Sequence, residues 1–167
     1  MNTILYATIW AAMMLFVAGE AGKSSVERGR VPRWTWQASA AGIMLCIVHM
    51  AIVMAARYSW NHEEAARSTA AQAASVYGVN WQGSLYVNYL FVLIWLSETV
   101  WSAVSPRSYC SRSAVVAWTA RLFYLVIIFN AIVVFVRPEA RPLGVALVAV
   151  LVGSWLRRAD AITFRRA

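Results

Sequence analysis

Few residues in this chain are equipped for chemistry, and most of them fall inside apolar runs. Glu98 stands in the stretch "FVLIWLSETVWSAV", residues 91–104. A carboxylate there can hold a proton, anchor a cation or bind a substrate. Its ionised form costs about 2.5–3.5 kcal/mol in hydrocarbon on insertion scales. It therefore needs a partner, a cavity or a route to the surface. Advancing by about 100° per residue from Ser84 puts Asn88, Trp95, Glu98 and Ser102 within about 40° of Ser84. A single polar stripe on an apolar helix faces protein or water, not lipid.

His49, Arg121 and Asn130 are the other intramembrane candidates. His49 continues the face marked by Ala38, Gly42 and Cys46, a spacing of small residues that lets helix backbones approach closely. It points into the bundle, as an interhelical hydrogen bond first, or as a proton relay or ligand. Arg121 and Asn130 sit on opposite faces of their run. Arg121 lies ~12 Å in from one end and Glu98 ~9 Å in from the same side. Their two runs are joined by a short loop, so a Glu98–Arg121 ion pair is the expected way to neutralise both. Asn88 and Asn130 read as hydrogen bonds between helices and Trp95 as packing.

The elements that must position these residues follow from composition. The 167 residues are 61% hydrophobic and 13% charged. A soluble domain carries about 25% charged residues, so this chain cannot cover itself with a solvated surface. Five apolar runs cover residues 3–19, 34–56, 84–104, 114–136 and 143–156. A helix needs about 20 residues to cross the hydrocarbon. The fifth run reaches only ~21 Å, and Arg141, Arg157 and Arg158 can snorkel to make up the difference. No basic residue precedes the first run, so it reads as a retained span rather than a cleaved signal.

Basic residues orient the runs. Lys23, Arg28, Arg30, Arg33, Arg107, Arg112, Arg157, Arg158, Arg165 and Arg166 fall on one side, and Arg57, Arg67, Arg137 and Arg141 on the other. The positive-inside rule puts the larger group in the cytoplasm, the N-terminus outside and the C-terminus inside. The net charge of +8 thus belongs to connectors, and no nucleic-acid partner is expected.

The second loop predicts its own helix over 62–77, capped by Asn61 and Glu64 and ended by Gly78. It reads as a surface connector, or alternatively as a lid over an outward-facing pocket. His62, Glu63 and Glu64 could contribute to a site there only if this helix folded over the second span. No metal or cofactor is expected, because three converging protein ligands are not evident. Cys46 and Cys110 give neither a CxxC nor a disulfide framework.

The fragments "WNHEEAARSTAAQAASVYGVNW", "LYVNYLFVLIWLSETVW" and "IIFNAIVVF" together resemble a group of small bacterial multi-pass membrane proteins of unknown function. The resemblance implies a membrane protein and no activity, and the expected location is the bacterial inner membrane. The expected fold is all-α: a single transmembrane domain, residues 1–167, of about five spanning helices with one extra-membrane helix. Five helices leave little room for a large substrate cavity. The leading reading is an accessory or structural subunit acting through the bilayer, membrane partners or a homo-oligomer. The alternative is a proton-coupled transporter or channel-like protein using Glu98. The third is an intramembrane enzyme or cofactor-binding protein with its site near the outer face.

Overall fold

The computed structural model describes residues 2–23 and 31–163, with side chains for residues 3–23 and 31–157. The described residues form helices and no strands. In chain order these are α1 (Asn2–Gly22), α2 (Arg33–Tyr58), α3 (His62–Tyr77), α4 (Ser84–Val104), α5 (Pro106–Cys110), α6 (Ala114–Phe129) and α7 (Arg141–Thr163). A π-helical turn, Asn130–Val134, continues α6, and a short 3₁₀ turn, Pro138–Ala140, leads into α7.

Five helices are long and apolar enough to cross a membrane: Thr3–Gly22, Arg33–Tyr58, Ser84–Val104, Ala114–Val134 and Pro138–Arg157. The fifth is longer than its apolar run, because Pro138 begins a turn that feeds straight into α7. Met44, Leu93, Val104 and Val115 lie exposed on the outer faces of these helices. Such a surface suits hydrocarbon better than water. Among the basic residues used for orientation, Arg28, Arg30, Arg165 and Arg166 lie outside the described residues.

The core is built around α1. Its Met13, Phe16 and Val17 meet Ile43 and Cys46 of α2, Phe91 and Trp95 of α4, and Tyr124 and Ile128 of α6. Leu151 and Trp155 of α7 close the other side. Gly42 permits a close approach on α2. A Cβ there would stand 2.7 Å from the Trp95 ring and 3.1 Å from Leu15 Cβ. The small-residue spacing on α2 thus admits the α4 indole.

The α3 segment folds back over one end of the bundle. Ser59 and Trp60 both take left-handed backbone angles (φ 45° and 63°) and make the turn. Asn61 Oδ1 accepts from Glu64 N at 3.1 Å, and Gly78 at φ 71° ends the helix. The face of α3 turned inward is Ala65, Ala66 and Ala70. Asn61→Ala is expected to remove about 1 kcal/mol from the helix start. Hydrogen exchange should quicken at Glu64 and Ala65, and leave the α4 amides unchanged. Equal protection at Glu64 in both proteins would refute the cap.

Candidate functional site

Three layers are stacked along the bundle, and each is assembled from helices distant in sequence. At the α5 end lies a cluster of charge. Glu98 of α4 is buried, and so are Glu20 and Lys23 at the end of α1. Lys23 Nζ meets Glu20 Oε1 at 2.5 Å. Glu98 Oε1 meets Arg112 Nη2 at 3.6 Å, and Tyr124 OH donates to Glu98 Oε2 at 3.4 Å.

Arg112 is delivered to Glu98 by α5. This short helix begins at Pro106, which suits a first helical position. It presents Tyr109, whose ring lies 3.7 Å beneath the Arg112 guanidinium and 5.5 Å from Lys23 Nζ. Arg112 Nη1 also donates to Tyr109 O at 2.9 Å. The tyrosine is a buried platform for two cations. Burial pushes its phenol above the ordinary tyrosine range, against the pull of Lys23 and Arg112. Burial also opposes the Lys23 charge, but Glu20, with Tyr109 and Glu98 behind it, more than offsets this. The Lys23 pKa is held above the ordinary lysine range.

The expected Glu98–Arg121 pair is therefore corrected: the structure brings Arg112 to Glu98. Arg121 is buried with its guanidinium 4.9 Å from the Trp118 ring and 5.8 Å from that of Trp155 on α7. Similar depth did not make the two residues face each other, because α6 is rotated to put Tyr124, not Arg121, toward α4.

The middle layer is aromatic. Phe16 stands 5.0 Å from Trp95, 5.1 Å from Tyr124 and 5.5 Å from Phe91, centroid to centroid. Edge-to-face contacts dominate, the arrangement that aromatic quadrupoles prefer. Trp95 is wholly buried in this layer.

The third layer, at the α3 end, is a cavity of about 400 Å³. Its deep wall is Met13, Cys46, Phe91 and Ile132, and its polar rim includes Arg57, Gln72, Asn88 and Tyr89. α3 supplies part of the wall through Ala65, Thr69 and Gln72. It is thus more than a connector. Three side-chain hydrogen bonds tie it down: His62 Nδ1 with Tyr89 OH at 3.4 Å, Tyr58 OH to Ser68 Oγ at 3.0 Å, and Tyr77 OH to Asn130 Oδ1.

The remaining sequence candidates divide accordingly. His49 lines the cavity, and its Nδ1 lies 3.1 Å from Thr8 Oγ1 on α1. The Thr8 hydroxyl has the Ile4 carbonyl at 2.9 Å, so His49 serves as an interhelical hydrogen bond. Asn88 lines the cavity but is exposed, unlike Trp95, Glu98 and Ser102 of the same stripe. Asn130 donates to Val126 O at 2.8 Å and latches α3 through Tyr77. Glu63 pairs with Arg67 on the α3 surface at 3.3 Å, and the Glu64 amide is capped by Asn61. Among the described residues no group of three or more His, Cys, Asp or Glu is suited to a metal.

Sequence reasoning missed Glu20, Lys23, Tyr109 and Arg112 as site residues. The signals were present: Glu20 and Lys23 are three apart at the end of α1, and Tyr109 and Arg112 are three apart in the loop that follows α4. Comparison with protein-family models, curated proteins and solved structures finds no match for this chain.

Proposed function

We propose that the protein is a membrane-embedded accessory subunit whose own contribution is to hold a small, mostly apolar ligand in the cavity at its α3 end. The observation that carries this reading is the cavity itself. Its volume of about 400 Å³ falls in the range of roughly 300–1,000 Å³ used by small-molecule sites. It has an apolar interior and a few polar groups gathered on α2, α3 and α4, the composition such sites have. The distribution of basic residues supports an outward-facing cavity. The resemblance supports the bacterial inner membrane as the location.

A proton-coupled path from Glu98 to His49 and Asn88 would have to cross the layer of Phe16, Phe91, Trp95 and Tyr124. The four are buried and in contact. Glu98 is engaged with Arg112 and Tyr124 on the far side of it. The binding reading is preferred on that ground.

Thr69→Trp tests it. Thr69 lines the cavity, and its hydroxyl bonds only to Ala65 O of its own helix, so an indole there takes cavity volume at little other cost. Native mass spectrometry after gentle purification is expected to find a small-molecule adduct on the wild type and none on Thr69→Trp, with unchanged thermal unfolding. Wild-type protein without an adduct, or an adduct kept by Thr69→Trp, would refute the proposal.

A further inference from the structure

The lining of the cavity points to the kind of ligand it takes. It contains no Asp or Glu, whereas Arg57 stands at its rim. Among the described residues no carboxylate lies within ion-pair distance of Arg57. A second guanidinium, that of Arg137, sits 4.8 Å over the ring of Tyr6, itself a cavity residue. An exposed arginine at a helix end would by itself mark only a headgroup contact. Arg57 differs because it borders a mostly apolar cavity. A cavity with an arginine at its rim, a second against one of its lining residues and no acid in its wall favours a negatively charged head. Arginine presents a planar fork that matches carboxylate and phosphate oxygens.

Dimensions describe the rest of the ligand. On α2 the wall runs from Cys46 to Arg57, with His49, Met50, Val53 and Met54 between. That is ~16 Å along the helix at its standard rise, close to half of the ~30 Å hydrocarbon thickness. The cavity volume of about 400 Å³ is in the range of small-molecule sites. A single flexible chain suits a space of that volume and length. Met13, Met50 and Met54 line it. Their flexible thioethers adapt to an irregular chain better than branched side chains do.

We infer that the occupant is a single-chain anionic amphiphile, its carboxylate or phosphate head at Arg57 and its chain directed to Met13, Cys46 and Phe91. This rests on the binding reading above and adds the charge and shape of the ligand.

The full chain in phosphatidylcholine nanodiscs would be titrated with dodecanoate, dodecyl phosphate and dodecanol, each brominated on the chain. Native mass spectrometry of the released protein counts the bromine-marked adduct at each concentration. At least one of the acids is expected to bind about tenfold more tightly than the alcohol, the size of one charge-assisted contact. The better of the two identifies the head. Arg57→Gln should bring that acid to the level of the alcohol, Arg57→Lys should keep most of the preference, and Thr69→Trp should abolish binding of all three. Equal binding of acids and alcohol, lost in Thr69→Trp, would overturn the anionic head and leave the cavity reading intact. An acid preference that survives Arg57→Gln would overturn the role of Arg57. Binding of none of the three, or binding that Thr69→Trp leaves unchanged, would overturn both.

Discussion

Glu98→Gln is expected to destabilise the bundle by about 3–5 kcal/mol, and Arg112→Gln by a similar amount, because each leaves an opposite charge buried without its partner. The two side chains are 9% and 6% exposed. Among the described residues they stand with Glu20 and Lys23, and either single change removes one charge from that group. The double variant Glu98→Gln/Arg112→Gln is expected to recover most of the loss. A neutral amide pair of similar size satisfies the same space without the desolvation cost of an ion pair. Unfolding midpoints in a fixed detergent would measure this, with folded yield as a second readout. Adding Arg121→Gln to Glu98→Gln gives the control. If that pair recovers and the Arg112 pair does not, the assignment of Arg112 as the partner is wrong. If neither single change lowers the midpoint, the cluster does not hold the bundle together.

The partner of Glu98 marks where sequence reasoning stops. Hydrophobic periodicity and length predict α2, α3 and α4 to within two residues, because these elements carry their own punctuation. Asn61 and Gly78 bracket α3, and α4 fills the apolar run that contains Glu98. A helical wheel also places Trp95, Glu98 and Ser102 on one buried face. What a wheel cannot supply is the rotation of the neighbouring helix. Arg121 matched Glu98 in depth, yet α6 turns Tyr124 and Ile128 to the core and leaves Arg121 beside Trp155. That rotation is decided by the packing of the whole aromatic layer. The central place of α1 was equally hidden, since a run apolar on all sides does not declare which face is inside. Arg112 was hidden for another reason. In a short basic loop a guanidinium reads as an orienting charge, and only the α5 turn reveals the tyrosine beneath it.

The π-helical turn at Asn130–Val134 was also invisible in sequence, and it leads to the second large expected effect. Extra residues in a helical turn appear mostly where a partner or a site requires them. Here the partner is α7. A Cβ built on Gly144 would stand 1.9 Å from the carbonyl oxygen of Ile132 and 2.8 Å from its carbon. Both are backbone atoms, so no side-chain rotation can relieve the overlap. Gly144→Ala must therefore push α7 away from the turn, and should cost about 3 kcal/mol, the upper end for overpacking. Gly153 on the same helix is the internal control. A Cβ there meets nothing within 4 Å, so Gly153→Ala should be neutral or stabilise by about 0.5–1 kcal/mol through helix propensity. The effect should extend to ligand binding. Ala131 and Ile132 of the turn line the cavity, and Asn130 holds Tyr77 of α3. Moving the turn alters the wall and the latch together, so Gly144→Ala should weaken binding of the favoured amphiphile, while Gly153→Ala leaves it unchanged. Thermal unfolding and the adduct titration on both variants separate the possibilities. Equal midpoints would contradict the close approach of α7 to the turn. A lower midpoint with undiminished binding in the folded fraction would detach the π turn from the cavity and leave it a packing feature alone.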